Sequence, residues 1–171
     1  MVRENEIRRN EVKVDLPGRI DAGLIFIGRI STPWRGRMVC PRQGRLDGPL
    51  CRIEVYEPWT PALKGVAARE RLEILYWLDQ SRRDLVLQSP ADDGVTHGVF
   101  SLRSPVRPNP VGTSIVRLIG IEDNVLLVRG LDCLDGTPLI DIKPDRTQFK
   151  PIAPPQPGDF ETEADDERHT I

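Results

Sequence analysis

Apolar positions along this chain fall in short runs broken by turn-forming residues. None approaches the ~18 to 20 consecutive apolar residues that a bilayer crossing needs. The segment Cys51-Arg52-Ile53-Glu54-Val55-Tyr56-Glu57 alternates apolar and charged with period two, the mark of a strand with one wet face, and Pro58 and Pro61 end it. Leu24-Ile25-Phe26-Ile27 predicts a second strand, stopped by the turn chemistry of Thr32-Pro33-Trp34-Arg35-Gly36. Across 62–80, Ala67-Ala68-Arg69-Glu70-Arg71-Leu72 favours helix and Ile74-Leu75-Tyr76-Trp77-Leu78 a buried strand, so a short helix running into a strand is expected. Further strands are predicted at 85–87, 98–102, 113–121, 125–129 and 139–142, the 113–121 and 125–129 pair joined as a hairpin through Glu122-Asp123-Asn124. Many short strands with at most one or two short helices predict a mainly-β fold, a single antiparallel β-barrel rather than alternating β-α units.

The chain's 171 residues suffice for one modest core, and the pattern divides them into three. Residues 1–18 are polar, sum to zero charge and read as an extension or short edge element; 19–150 hold the barrel. Residues 151–171 open with four prolines in seven residues, continue with six acids against one base, and are expected to be extended and mostly disordered. The charged start Met1-Val2-Arg3-Glu4 lacks the apolar stretch of a secretory signal, which points to the cytoplasm. Three cysteines and two histidines fit no metal-ligand spacing, so neither a metal site nor a disulfide framework is expected.

The net charge of −2 hides a basic region. Six arginines (29, 35, 37, 42, 45 and 52) face one acid, Asp47, between residues 29 and 52. Of 24 basic residues 20 are arginine, whose planar fork suits phosphate, carboxylate and stacked bases. A GC-rich coding sequence explains an arginine bias but not this clustering. Three polar loops carry the candidate chemistry: Cys40-Pro41-Arg42-Gln43-Gly44, 103–112 and 131–143. Glycine-rich nucleotide loops and the hydrolase elbow are absent from the sequence. Arg103-Ser104-Pro105-Val106-Arg107-Pro108-Asn109-Pro110 is stiffened by three fixed φ angles and would hold guanidinium and amide donors rigidly, or merely shape a loop. Asp132, Asp135 and Asp141 recur within ten residues, a spacing open to a general base or to simple turn formation.

Taken together, Pro41-Arg42-Gln43, the string from Arg103 to Ser114 containing R-P-N-P, and Leu131-Asp132-Cys133-Leu134-Asp135-Gly136-Thr137-Pro138-Leu139-Ile140-Asp141-Ile142-Lys143-Pro144 resemble the TrmO family, also called TsaA or YaeB, over about residues 22–143. The resemblance implies a homodimeric β-barrel methyltransferase that uses S-adenosyl-L-methionine and methylates the exocyclic nitrogen of threonylcarbamoyl-adenosine beside the tRNA anticodon. It implies a cofactor pocket of Pro41, Arg42, Gln43, Asp79, Gln80, Arg103, Leu131, Asp135, Gly136, Thr137 and Pro138. Arg107, Asn109, Asp141 and Lys143 would lie toward the substrate as catalytic candidates. Family members commonly carry tyrosine after D-I-K-P, where this chain has Asp145, and longer bacterial members continue into a further domain, so this chain reads as a short form. The same cofactor chemistry on another nucleoside or small molecule, and a non-catalytic RNA-binding barrel, are the alternatives.

Overall fold

The computed structural model describes residues 6–156 and 158. The acidic run of the tail lies outside the described residues. Among the described residues nine strands form: β1 (Val12–Lys13), β2 (Gly28–Ser31), β3 (Cys51–Val55), β4 (Arg71–Trp77), β5 (Leu85–Gln88), β6 (His97–Gly98), β7 (Val111–Glu122), β8 (Val125–Arg129) and β9 (Pro138–Pro144). Six of them close into a barrel in the order β2-β3-β8-β7-β4-β9, every pair antiparallel and β9 returning to β2. Period two decides which side chains fill it. In β3, Cys51, Ile53 and Val55 are buried while Arg52 and Glu54 face water; in β4, Leu72, Ile74 and Tyr76 point in.

The interior is completed by Ile30, Val116, Leu126, Val128 and Leu139, all fully buried. Each such side chain contributes about 1.5 to 3 kcal/mol by leaving water. β7 is long because it serves two neighbours. Its first half pairs with β4 and its second with β8, and a register shift between Leu118 and Gly120 turns it from one to the other. The hairpin expected at Glu122-Asp123-Asn124 forms, with Glu122 opposite Val125 and the Asn124 amide donating to the Val55 carbonyl at 2.8 Å.

Three local expectations are corrected. The run Leu24–Ile27 is not a strand: Leu24 and Ile25 are more than half exposed, and pairing begins at Gly28, where inward and outward positions first alternate. The segment from Ala62 yields no α-helix; two 3-10 turns, Thr60–Leu63 and Val66–Ala68, lead into β4. Residues 98–102 give only the end of β6 and a 3-10 turn, since Val99 alone finds a buried site while Phe100 is 81% exposed.

Outside the barrel, β1, β5 and β6 make a separate small sheet. The extension is fastened to it by Glu11, whose carboxylate accepts from the Ser89 and Arg8 backbone N–H groups at 3.0 Å each. No helix among the described residues is long and apolar enough to cross a membrane.

Candidate functional site

Two of the three polar loops meet at one end of the barrel. Thr32, just past β2, donates its hydroxyl to the Cys133 carbonyl at 2.9 Å and its backbone N–H to Asp135 Oδ1 at 3.1 Å. The Asp135 N–H answers to the Trp34 carbonyl at 2.7 Å. Further along, the Cys40 thiol points at the Asp132 carbonyl, 3.3 Å away, and the Gly44 N–H donates to Asp132 Oδ2 at 3.1 Å. Gly44 has to be glycine, because a Cβ there would sit 1.8 Å from the Gly130 carbonyl oxygen. The Pro41–Gln43 segment is thereby pressed against the start of the 131–143 loop.

The third loop joins through the barrel wall. Asp132 Oδ1 accepts from the hydroxyls of Tyr76 and Ser114, at 2.6 Å each, and those two hydroxyls lie 2.8 Å apart. Tyr76 reaches this position only because Gly112 lies opposite it in the β4–β7 pair; a Cβ at Gly112 would fall 2.1 Å from the ring. Burial first, and then the neighbouring Asp132 carboxylate, push the Tyr76 phenol far above its ordinary range, so it remains a donor at any working pH. The same two causes, in the same order, push the Cys40 thiol up to about 11.

Around this cluster Arg42, Gln43, Asp79, Gln80, Arg103 and Asp135 are exposed, Pro41 and Pro138 half-buried, and Leu131 and Thr137 buried. Arg42 has no ion-pair partner among the described residues, and Arg103 makes one long contact, 3.5 Å to the Thr113 carbonyl. Both forks are open to a ligand. The turn at 135–137 is different. Its three N–H groups are taken by the Trp34, Ile30 and Leu134 carbonyls, its Thr137 and Gly136 carbonyls accept from the Ile30 N–H and Arg29, and the Gly136 φ of +84° suits glycine, so what it offers outward is the Asp135 carbonyl and side chain.

The four residues expected toward a substrate share no common hydrogen-bond cluster among the described residues. Arg107 is spent inside its own loop, donating to the Val99 and Leu102 carbonyls at 3.1 and 3.2 Å. Asn109 is exposed and accepts from Arg83, which also donates to the Pro108 carbonyl at 2.6 Å and lies over the Trp77 ring at 5.3 Å. Asp141 and Lys143 pair with each other on the outer face of β9, and Asp141 also accepts from the Ile142 N–H. That pairing raises the Lys143 ammonium above its usual range.

Sequence reading gave no role of their own to Tyr76, Ser114, Gly44 or Arg83. Tyr76 and Ser114 lay hidden among strand residues, while Asp132 showed only as one of three recurring acids.

A closed six-stranded antiparallel barrel with polar loops converging at one end is the class that this fold and site define. The tRNA-methyltransferase O N-terminal domain matches residues 29–149. The chain belongs to that family. It is 61% identical over 154 residues to a Rhizobium radiobacter protein described as the probable S-adenosyl-L-methionine-binding protein VirR, covering 90% of this chain and 88% of the relative. It is 37% identical over 130 residues to the Escherichia coli tRNA (adenine(37)-N6)-methyltransferase, covering 69% of this chain and 55% of that enzyme. The solved structure of TrmO from Pseudomonas aeruginosa superposes with a TM-score of 0.61 at 30% identity, over 81% of this chain and 62% of that one. The chain thus spans rather more than half the length of these two methyltransferases and nearly nine-tenths of the VirR protein.

Proposed function

We propose that the protein is an S-adenosyl-L-methionine-dependent methyltransferase acting on the exocyclic N6 of threonylcarbamoyl-adenosine beside the tRNA anticodon. The observation that carries the reading is the convergence, about one carboxylate, of the segments that the family resemblance assigns to the cofactor, with the exposed guanidinium forks of Arg42 and Arg103 at their rim. Arg103 and Arg42 would bind the methionine carboxylate, and Asp79 and Gln80 the ribose hydroxyls. Leu131 and Pro138 would flank the adenine, whose edge would meet the Asp135 carbonyl and side chain. The cofactor supplies a methyl group on a sulfonium for in-line displacement.

Because positive charge disperses as the methyl moves, a cation trap on the sulfonium gives no acceleration, and the chain's contribution is alignment. The acceptor nitrogen bears a carbonyl substituent and must lose its proton near the moment of attack. Both Asp141 oxygens already accept hydrogen bonds, which favours departure of that proton to solvent or to the substrate's own carboxylate. Lys143 and Asn109 would then contact substrate, while Arg107 would shape the loop.

The arginine-rich loop fits tRNA. Arg29, Arg35, Arg37, Arg42, Arg45 and Arg52 are all exposed, and no carboxylate among the described residues pairs with Arg35, Arg37 or Arg42. Phosphates would release counterions there. A homodimer fits the outer β4–β7 face, where Leu75, Trp77, Val111 and Ile115 sit at outward positions, with Val111 and Ile115 36% and 38% exposed. In this arrangement residues 19–150 are the methyltransferase domain and the reaction is cytoplasmic.

Asp145 does not argue for another substrate. It is buried and paired with Arg71 at 2.9 Å, near the far end of β4 from Trp77 and about 20 Å away at strand rise, so neither its charge nor a missing aromatic faces the converging loops.

The test is mass spectrometry of tRNA nucleosides from a strain lacking the protein. Loss of the methylated threonylcarbamoyl-adenosine peak and its return on complementation are expected. An unchanged peak in a strain with no second copy removes the tRNA assignment. Calorimetry showing no heat with millimolar cofactor would leave only an RNA-binding barrel.

A further inference from the structure

We propose that Asp132 is the positioning residue of the cofactor site: its carboxylate holds four otherwise independent segments of the pocket in register. The inference rests on the cofactor reading above and adds a residue to it. The geometry is specific. Gly44, which donates to Oδ2, directly follows Pro41–Gln43. Tyr76, which donates to Oδ1, lies three residues before Asp79 on the strand that leads into the Asp79–Gln80 turn. Ser114, also on Oδ1, ends the string that begins at Arg103. Asp132 itself follows Leu131 and precedes the 135–138 turn. Pro41–Gln43, Asp79 and Asp135 are therefore one to three residues along the chain from a bond to or from this side chain, while Arg103, eleven residues before Ser114, comes back beside it through its 3.5 Å contact to the Thr113 carbonyl.

A carboxylate suits this task better than a neutral group. It accepts at both oxygens and offers no competing donor, and hydrogen bonds to it are shorter and stronger than neutral ones, as the two 2.6 Å contacts are. The donors are neutral, so the hub needs no cation that would compete with Arg103 and Arg42 for the ligand. Asp132 touches no reacting atom in this scheme. It acts through the loops.

The experiment uses the full-length protein, with S-adenosyl-L-methionine titrated by calorimetry into wild type and into Asp132→Ala, Asp132→Asn, Tyr76→Phe and Asp145→Asn. Asp132→Ala is expected to weaken cofactor binding about tenfold or more while kcat at saturating cofactor stays within about twofold. Asparagine should recover most of the affinity, because its carbonyl can face the Gly44 N–H while its amide donates to the two hydroxyls. Tyr76→Phe should cost about threefold alone and nothing further on top of Asp132→Ala.

Trypsin should cut at Arg42 and Arg45 faster in Asp132→Ala than in wild type without cofactor, and no faster in Asp145→Asn. Alanine binding as tightly as wild type with the barrel folded overturns the inference and leaves the methyltransferase reading standing. Wild type failing to bind at all removes the methyltransferase reading and this inference with it. Should Asp132→Ala not fold, unchanged affinity in both Tyr76→Phe and Ser114→Ala is the overturning result.

Discussion

The two ends of the barrel each hold an aspartate, and they are satisfied in different ways. Asp145, 3% exposed, pairs with the Arg71 guanidinium and otherwise serves its own turn, accepting the Thr147 N–H and hydroxyl at 3.0 Å each. Its own N–H returns to the Arg71 carbonyl. Asp132 has no cation partner among the described residues. It is satisfied by neutral donors from three distant stretches of chain. The first arrangement ties down a strand end and can be disturbed without consequence elsewhere. The second makes the loops depend on one another. The Asp145 end also carries a shallow depression of about 210 Å³ lined by Ala68, Arg69, Glu70, Arg71, Pro144, Asp145 and Gln148, which shares no residue with the converging loops.

The contrast can be broken most forcefully at Gly112. Alanine there drives a methyl into the Tyr76 ring and should destabilise the fold by about 3 kcal/mol, with cofactor affinity falling in parallel, read by denaturant melts and calorimetry. At the other end, Asp145→Ala should cost about 2 to 3 kcal/mol, less than a fully enclosed pair because Arg71 keeps 29% exposure, and should leave cofactor affinity within about twofold. Equal loss of affinity from both ends would erase the distinction. Arg103→Ala touches neither hub and should weaken cofactor binding by about 1.5 to 3 kcal/mol without lowering Tm. Unaltered affinity would mean that Arg103 does not hold the charged group.

The smallest effect concerns the thiols. Cys40 and Cys51 are both pushed from 9.0 up to about 11, chiefly by burial. Between those values the unfolded chain has released protons that the folded chain retains, so stability should fall as pH rises from 9 toward 11 and be insensitive to these groups below 9. Tm recorded from pH 8 to 11 checks this, and Cys40→Ser should flatten the decline. Iodoacetamide should likewise label Cys40 slowly at pH 8.

The barrel was legible where apolar and polar positions alternate strictly, as in 51–55, because that period has one folded meaning. A run of four apolar residues did not decide the matter, since Val125–Val128 lies within β8 while Leu24–Ile27 stays outside the barrel, and at Val99 one buried position among exposed ones makes a turn. The split of nine strands into a barrel and a separate sheet lies in long-range pairing, such as β1 with β5, that no local pattern records. The site was legible as three motif-bearing loops. What the motifs did not distinguish is function within them: Arg107 and Asn109 occupy the string on which the resemblance rests, yet the structure turns one inward and clamps the other with Arg83. The hub was hidden because tyrosine and serine in strands read as ordinary packing until their hydroxyls are seen to share one acceptor.

Closure of the six-stranded barrel also bears on how copies of the chain can meet. Every barrel strand has a neighbour on both sides, and the outer sheet ends in two-residue rims, β1 and β6, too short to template another chain's backbone. Among the described residues, any contact between copies of the barrel would therefore go through side chains, face against face. Such a contact can be weakened by single polar substitutions, and it leaves the backbone ladder of each copy intact when the copies separate.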